Sequence, residues 1–307
     1  MHRIFGPVPS RRLGRSLGVD VIPHKTCTFD CVYCECGATT NKTCTREEYY
    51  PLEELLQELR MKLSSMKVPP DVITLSGAGE PTLYSRMGEF IERARELSGL
   101  PVAVLTNSSL INREDVAEEL KKADIILPSL DTVVERSFRR LNRPHRDCRL
   151  EDIVEGLRKF LNDYSGRVLF EVLLVEGYNT SEEDLSALKE VLETLKVDKI
   201  QLNTVARPGT IKELKALDDK RLEEIKEFLG PRCEIVSSSY HSKIGEEMED
   251  SINIIITLLK RRPCTLDDIH NSTGLPVPEL IKLLGELERT KRIETTEFNG
   301  KIFYIAP

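Results

Sequence analysis

Short apolar segments rich in β-branched residues recur along most of the 307-residue chain and alternate with segments of helical periodicity. Seven such segments are predicted strands, at residues 17–22, 71–75, 101–105, 124–130, 167–175, 199–203 and 233–236. A strand that leads through a helix into the next strand forms a parallel βα unit. The alternation therefore predicts an α/β fold. We expect a partial (βα)6-type TIM barrel, and a doubly wound sheet is the alternative that spacing alone leaves open.

The last part of the chain has a different pattern. Its predicted helices cover residues 251–262, 265–274 and 275–290. A hairpin follows them, because Asn299–Gly300 is typical of a two-residue turn between strands. Three helices and a hairpin are the layout of a winged helix. We therefore predict a barrel domain over residues 1–246 and a small C-terminal winged-helix domain over residues 247–307.

Composition narrows the class of protein. The formal net charge of −7 argues against a general binder of polyanions. No apolar run approaches the roughly 20 residues that span a bilayer, and the opening MHRIFGPVPSRRLG lacks the apolar core of a signal peptide. We therefore expect a cytoplasmic protein with no membrane partner, in which the 8 cysteines are reduced thiols.

Half of these cysteines lie within residues 27–36. Cys27, Cys31 and Cys34 have the spacing C-x3-C-x2-C. A [4Fe–4S] cluster normally takes four thiolates, so three from one loop leave an iron open to a substrate or cofactor. Zinc is the alternative metal. Zinc usually takes pairs of C-x2-C motifs separated by a longer gap, and no second motif of that kind follows here.

The remaining cysteines leave further alternatives open. Cys36 or Cys44 would supply a fourth thiolate and make the protein a non-enzymatic electron carrier. Cys148 would act as a methyl or radical relay, although no motif for that role accompanies it. For each of the scattered cysteines, a small buried hydrophobic side chain is the ordinary interpretation; these are Cys44, Cys148, Cys233 and Cys264.

The cysteine motif, with Tyr33 directly before its last member, resembles the signature of the radical SAM superfamily. The resemblance implies that Cys27, Cys31 and Cys34 ligate a [4Fe–4S] cluster whose open iron is chelated by S-adenosylmethionine. It also implies a reductant protein such as ferredoxin or flavodoxin, whose electron cleaves S-adenosylmethionine to methionine and a 5′-deoxyadenosyl radical. That radical would take hydrogen from a substrate that the sequence does not identify: an RNA base, a peptide or a small molecule.

A glycine-rich segment, SGAGEPTL at residues 76–83, directly follows a predicted strand. Glycine lets the main chain approach a ligand that a side chain would block. The segment resembles the family's loop that binds the methionine amino group. The resemblance assigns cofactor binding to Tyr33 and to the loop. The loop residues are Gly77, Ala78, Gly79, Glu80 and Pro81.

Polar residues also follow other predicted strands at their carboxyl ends. In a barrel these ends share one face, where active sites lie. The repeated placement predicts a cofactor pocket, although each residue alone is equally typical of a helix cap or an Asx turn. The residues are Thr106, Asn107, Ser129, Asp131 and Asn203. By family resemblance, Ser129 and Asp131 are candidates for contacts with the ribose.

The opening segment GPVPSRRLGRSLGVDVIP resembles a group of archaeal and bacterial Fe–S oxidoreductases loosely related to wyosine-tRNA synthetases. The wyosine enzymes carry additional upstream cysteines, and none precedes Cys27 here. Residues 250–307 hold as many acidic as basic side chains, whereas a nucleic-acid reader favours positive charge. Nucleic acid is therefore a weakly supported partner. The same charge balance disfavours the remaining alternative function, a redox-sensing winged-helix regulator.

Overall fold

The strands that the sequence predicts are present in the protein. The computed structural model describes residues 3–10, 12–66, 68–211, 213–236 and 248–306, so the predicted domain boundary at 246 lies outside the described residues. Each of the seven predicted strands coincides with observed strand residues to within a few positions. The strands are β1 (Ile4–Ser10), β2 (Gly14–Val19), β3 (Thr26–Cys27), β4 (Asn41–Lys42), β5 (Val72–Leu75), β6 (Val102–Thr106), β7 (Ile125–Pro128), β8 (Arg167–Val168), β9 (Phe170–Leu174), β10 (Ile200–Thr204), β11 (Cys233–Ile235), β12 (Glu294–Phe298) and β13 (Lys301–Ile305).

Helices follow most of the parallel strands. They are α1 (Leu52–Ser65), α2 (Met87–Ser98), α3 (Glu114–Leu120), α4 (Glu135–Leu141), α5 (Leu150–Asp163), α6 (Glu182–Thr194), α7 (Asp219–Leu229), α8 (Met248–Leu259), α9 (Leu266–Thr273) and α10 (Val277–Arg289). α5 illustrates how they bury an apolar stripe, because Ile153, Leu157, Phe160 and Leu161 recur at helical spacing and are all buried. None of the described helices is long and apolar enough to cross a membrane.

The order of the parallel strands distinguishes the two predicted architectures. β2, β5, β6, β7 and β8 pair side by side, and β9, β10 and β11 form a second parallel run. The two runs meet where Ser129 forms a parallel bridge with Glu171. Strand order therefore rises steadily along the chain, whereas a doubly wound sheet reverses direction at a switch point. The arrangement is that of a partial TIM barrel.

The edge strand β1 was not predicted from the sequence. It pairs antiparallel with β2, with Ile4 opposite Val19. Pro7 and Pro9 obscure it in the sequence, because proline lacks an N–H and is tolerated chiefly in edge strands. The outer edge of β1 is partly covered, since Val8 packs against the hydrophobic cluster formed by the C-terminal helices.

Side chains alternate between the two faces of the parallel strands. On β10, Ile200 and Leu202 are buried in the main hydrophobic cluster, which also includes residues of the surrounding helices. Gln201, between them, belongs to a polar group on the opposite face: its Oε1 lies 3.3 Å from Nη1 of Arg12, and Arg12 also pairs with Glu171. The outward face of these strands is thus apolar, and the opposite face combines these polar groups with a separate apolar cluster that includes Val72, Ala103 and Leu127.

Residues 248–306 form three helices and a hairpin, in the order that the sequence predicts. Thr265 and Asp268 form a capping box that begins α9, and Gly274 ends it in the left-handed conformation with φ 71°. The hairpin turns at Asn299–Gly300, between β12 and β13. The side chains of the three helices bury a hydrophobic cluster of their own.

This C-terminal part is attached to the barrel beside the cysteine segment. Phe298 and Phe303 of the hairpin share a hydrophobic cluster with Val32 and Val205 of the barrel. Arg207, which is 9% exposed, makes two ion pairs at the junction. Its guanidinium pairs with Glu35 of the barrel at 3.2 Å and, across the junction, with Asp268 of α9 at 3.0 Å. The hairpin therefore packs its aromatic side chains on the barrel.

Truncation of Phe303 to alanine should lower the free energy of unfolding by about 3–5 kcal/mol, because phenylalanine leaves a cavity when a buried ring is removed. Phe303 is 1% exposed, whereas the preceding Ile302 is 60% exposed. Ile302→Ala is therefore the matched control and should change stability little. Urea unfolding of both variants makes the comparison. Equal losses in the two variants would contradict the packing of the hairpin on the barrel.

Candidate metal centre and cofactor site

The cysteine segment is held in place by main-chain hydrogen bonds to two other parts of the barrel and by one within the segment. Thr43 N–H donates to Cys27 O at 3.0 Å, and Val32 N–H donates to Leu141 O at 2.9 Å. Inside the segment, Cys34 N–H donates to Cys31 O at 3.1 Å and forms a tight turn. The positions of the three predicted ligands are therefore set by the fold around them and not by the segment alone.

Each of the three predicted ligand sulfurs accepts a hydrogen bond from a different side chain. Asn107 Nδ2 lies 3.6 Å from Cys27 Sγ, and Asn142 Nδ2 lies 3.6 Å from Cys31 Sγ. Lys25 Nζ lies 3.1 Å from Cys34 Sγ. Such donors stabilise the thiolate, which is the form that binds metals. Sequence reasoning missed Lys25 and Asn142, which no motif connects with the cysteines.

Cys36 differs from these three, because its side chain is hydrogen-bonded to Cys34. That bond, together with the Lys25 ammonium, lowers the pKa of Cys34. Burial raises the pKa of Cys27 to about 12 and also raises the pKa of Cys31. Two of the three thiols are thus protonated in the free chain and would be ionised by a bound cation.

The donor set fits an iron–sulfur cluster. Thiolates are soft ligands that select such clusters or zinc, and the three sulfurs here come from one short loop. Across the described ranges, no three His, Cys, Asp or Glu side chains, the three cysteines included, are grouped as a single metal ion would require.

The glycine-rich loop lies directly against the cysteine segment. Lys25 N–H donates to Ala78 O at 2.7 Å, and Glu80 N–H donates to Thr26 O at 3.2 Å. A Cβ on Gly79 would lie 2.0 Å from Thr26 O, and Gly77 has φ 155° with no room for a side chain beside Asp20. Gly79 is therefore required for the close contact between the two segments, and Gly77 for the close approach of Asp20 to the loop.

Glu80 is a buried link between the glycine-rich loop and the end of β6. Its carboxylate accepts hydrogen bonds from Thr82 N at 3.1 Å, Thr106 Oγ1 at 2.7 Å and Asn107 N at 2.8 Å. Burial raises the pKa of Glu80, and these hydrogen bonds oppose the rise. The contacts of Glu80 orient Asn107, which in turn faces Cys27.

Asp131 has a similar role on the other side of the cysteine segment. It accepts hydrogen bonds from the Tyr33 hydroxyl, from Asn142 Nδ2 at 2.9 Å and from Leu173 N at 3.0 Å. Burial raises the pKa of Asp131, and the hydrogen bonds from Tyr33 and Asn142 oppose the rise. Asp131 therefore orients Asn142 towards Cys31, and the Tyr33 hydroxyl is directed into the protein.

The structure brings most of the predicted pocket residues together. A small cavity is lined in part by Asn107, Ser129 and Asp131. Thr106, which contacts Glu80, lies next to Ser129, whose Oγ donates to Thr106 O at 3.4 Å. Asn203 is opposite Leu173 in the β9–β10 ladder and does not line this cavity. Pro81 begins a short 3-10 turn and is buried.

Comparison with known proteins gives a consistent result. Residues 21–188, more than half of the chain, match the family model of the radical SAM superfamily. A UPF0026 protein of Methanocaldococcus jannaschii is 34% identical over 314 residues, covering 98% of this chain and 95% of that protein. TYW1 with a lysine-pyruvate adduct bound has a similar fold, with a TM-score of 0.55, 20% identity and coverage of 80% of each chain.

Another relative carries a different name. A protein of Brachyspira hyodysenteriae called GTPase Obg is 33% identical over 305 residues, covering 98% of this chain but 45% of that protein. This chain thus spans less than half of that relative. The sequence of this chain contains no G-x-x-x-x-G-K-S/T phosphate loop.

The chain therefore belongs to the radical SAM superfamily and, within it, to the UPF0026 proteins. Radical SAM enzymes use a [4Fe–4S] cluster and S-adenosylmethionine. The predictions of an enzyme and of these two cofactors are confirmed at the level of the family.

Replacing Glu80 by glutamine should lower the free energy of unfolding by about 1–3 kcal/mol, because the amide NH2 would face a buried donor and leave it unsatisfied. Glu80 is 2% exposed, whereas Glu118 has an exposed side chain. Glu118→Gln is the matched control, for which little change is expected. Chemical denaturation of the two variants tests the difference. A wild-type stability for E80Q would show that the buried link is dispensable.

Proposed function

We propose that Cys27, Cys31 and Cys34 ligate a [4Fe–4S] cluster with one open iron, at which S-adenosylmethionine binds. The observation that carries this proposal is the set of three separate N–H donors, one to each of these sulfurs. When bound and reduced by one electron, S-adenosylmethionine supplies a 5′-deoxyadenosyl radical that takes hydrogen from the substrate.

The residues of the chain have distinct parts in this proposal. Lys25, Asn107 and Asn142 hold the ligand sulfurs in a polar, hydrogen-bonded environment. The main chain of Gly77–Pro81 binds the cofactor's methionine group. We infer that Glu80 and Asp131 act indirectly, by orienting the donors, since their oxygens already accept hydrogen bonds from the protein.

Asp20 is an additional candidate for contact with the cofactor. It lies beside Gly77, and its Oδ1 is a buried acceptor for which the described part of the chain provides no hydrogen-bond partner. An ammonium group of a ligand is the kind of donor such an oxygen would accept. Tyr33, Thr106, Ser129 and Asn203 stay as predicted pocket residues, with Ser129 placed at the small cavity.

We also propose two domains, 1–246 and 247–307, the second a winged helix. Its hairpin buries Phe298 and Phe303 together with barrel residues. In a winged helix that binds nucleic acid through its hairpin, the hairpin is instead exposed, because it enters a groove of the nucleic acid. This packing favours a domain that supports the barrel and its cysteine segment over a redox-sensing DNA regulator.

The substrate class stays open between an RNA base, a peptide and a small molecule. Two arginines of α4 make contacts within the protein: Arg139 pairs with Glu135, and Arg140 lies over the ring of Tyr178. The side chain of Arg139 is largely exposed, so these contacts do not decide for or against a nucleic acid. The electron donor in this proposal is a ferredoxin or flavodoxin in the cytoplasm, where thiols stay reduced.

The alternative of an electron carrier requires a fourth cysteine ligand. Cys36 is hydrogen-bonded to Cys34 itself, and Cys44 Sγ lies 3.3 Å from Cys148 Sγ. Neither sulfur is directed by a separate donor in the way the three proposed ligands are. This difference favours an open iron.

The function is tested by EPR of the reconstituted, reduced protein with and without S-adenosylmethionine, together with an assay for 5′-deoxyadenosine. We expect a shifted cluster signal and formation of 5′-deoxyadenosine. Cys34→Ala should abolish both, because a ligand is lost, whereas Cys233→Ala should keep both. An intact cluster with no shift and no 5′-deoxyadenosine would overturn the proposal in favour of an electron carrier.

Lys25→Met should make the reduction potential of the cluster more negative by tens of millivolts. A hydrogen bond and a positive charge at a ligand sulfur stabilise the reduced cluster, which carries more negative charge. Lys42→Met is the matched control, because Lys42 is exposed and its Nζ donates to Arg143 O at 3.1 Å. Potentiometric titration followed by EPR measures both variants. An unchanged potential in K25M would exclude Lys25 from this role.

A further inference from the structure

A second pair of cysteines lies outside the proposed cluster site. Cys44 Sγ and Cys148 Sγ are 3.3 Å apart, although the two residues are far from each other in the sequence. Cys44 follows β4, and Cys148 lies between α4 and α5. A thiol pair at this separation is within hydrogen-bond range, and a disulfide needs the sulfurs to approach by a further distance of only about 1.2 Å.

The main chain on both sides of the pair is anchored to two consecutive residues, Cys27 and Thr28. Thr43 N–H donates to Cys27 O at 3.0 Å, and His145 N–H donates to Thr28 O at 2.7 Å. Cys148 N–H donates to His145 O at 3.0 Å, which completes the turn that carries the second sulfur. The two sulfurs are thus held together by backbone contacts that do not depend on a bond between them.

His145 provides a base beside one of the sulfurs. Its Nδ1 lies 3.4 Å from Cys44 Sγ. The N–H of Asp147 also points at Nδ1, at 3.3 Å, and Oδ2 of Asp147 lies 3.5 Å from the same nitrogen. In the tautomer that accepts from this N–H, Nδ1 can take the Cys44 proton. The hydrogen bond from Cys148 lowers the pKa of Cys44, burial and Asp147 oppose this, and Arg113 contributes in the lowering direction.

The two cysteines differ in their position relative to a surface cleft. Cys44 and His145 line an open cleft of about 720 Å³, together with arginines and with Asp147 and Asp152. Both cysteines are half-buried and pack against the main hydrophobic cluster, but Cys148 does not line the cleft. The hydrogen bond with Cys44 and burial raise the pKa of Cys148. The pair therefore has one accessible, more acidic thiol and one thiol behind it, as thiol–disulfide exchange requires.

We propose that Cys44 and Cys148 form a redox-active dithiol, distinct from the cluster site, that a low-molecular-weight disulfide converts to an intramolecular disulfide. Cys44 gives its proton to His145 and attacks one sulfur of the small disulfide. A mixed disulfide forms on Cys44, and the thiolate that leaves takes the proton from His145. Cys148 then attacks the Cys44 sulfur, and the second thiol leaves with the remaining proton. The protein dithiol is oxidised by two electrons and the small disulfide is reduced to two thiols.

The test uses the full-length protein with its cluster reconstituted, equilibrated without oxygen in glutathione buffers of increasing oxidised fraction. Free thiols are then alkylated in acid-quenched samples and the digested protein is analysed by mass spectrometry. We expect the loss of two alkylatable thiols per chain in a single transition, with a disulfide that joins Cys44 to Cys148. The inference does not depend on the proposed function, because the readout requires no turnover.

Substitutions distinguish the formation of the mixed disulfide on Cys44 from its resolution by Cys148. Cys148→Ser should trap glutathione on Cys44, because the thiol that releases it is absent, while Cys44→Ser should leave Cys148 unmodified over the same time. His145→Gln should slow formation of the mixed disulfide at neutral pH. Cys233→Ala, which removes a buried cysteine elsewhere in the barrel, should behave as the unmodified protein does.

Two outcomes would overturn the proposal. In the first, Cys44 and Cys148 stay alkylatable in the most oxidising buffer and no linked peptide is found. In the second, both thiols resist alkylation in reducing buffer and react only after a chelator removes a stoichiometric metal ion, which would make the pair a metal site instead.

Discussion

The ammonium of Lys25 beside the thiol of Cys34 is the interaction on which the site depends. A buried charge is costly unless it has a partner, and Lys25 is 3% exposed with Cys34 Sγ at 3.1 Å. Burial lowers the pKa of Lys25, but the Cys34 sulfur outweighs this and raises it. The main chain of the same residue binds the glycine-rich loop through Ala78 and the segment at Asn41. One residue thus joins the parts that the proposed cofactors would contact.

Ion pairs connect the C-terminal part to the residues around this site. Arg207 joins Glu35, in the cysteine segment, to Asp268 on α9, and a capping box at the same aspartate begins that helix. On the other flank Arg261 pairs with Asp20, the residue that lies beside Gly77. Residues in contact with both proposed cofactor-binding segments, Arg207 and Asp20, are therefore ion-paired with the C-terminal part. A barrel without that part would leave Asp20 without Arg261 and Arg207 with Glu35 alone, which is costly for buried charges.

Much of the fold follows from local pattern, and the exceptions have identifiable causes. The parallel strands and the capping of α9 at Thr265 were predictable because alternation, helix caps and turn residues act over short range. β1 was missed because Pro7 and Pro9 are atypical of strands, and only its edge position accommodates them. The barrel could not be separated from a doubly wound sheet until strand order was known, because both give the same alternation along the chain.

The sequence by itself determined the kind of site: three thiols on one loop, and a glycine-rich loop after the next strand. Only the tertiary structure decided what surrounds them. Asn107 and Asn142 come from segments remote from the cysteines, and they meet the sulfurs because Glu80 and Asp131 orient them. Such hydrogen bonds depend on distance in space, and nothing in residue type or spacing encodes them. The same is true of Cys44 and Cys148, which are unremarkable in the chain and become a pair only where the fold brings their sulfurs together.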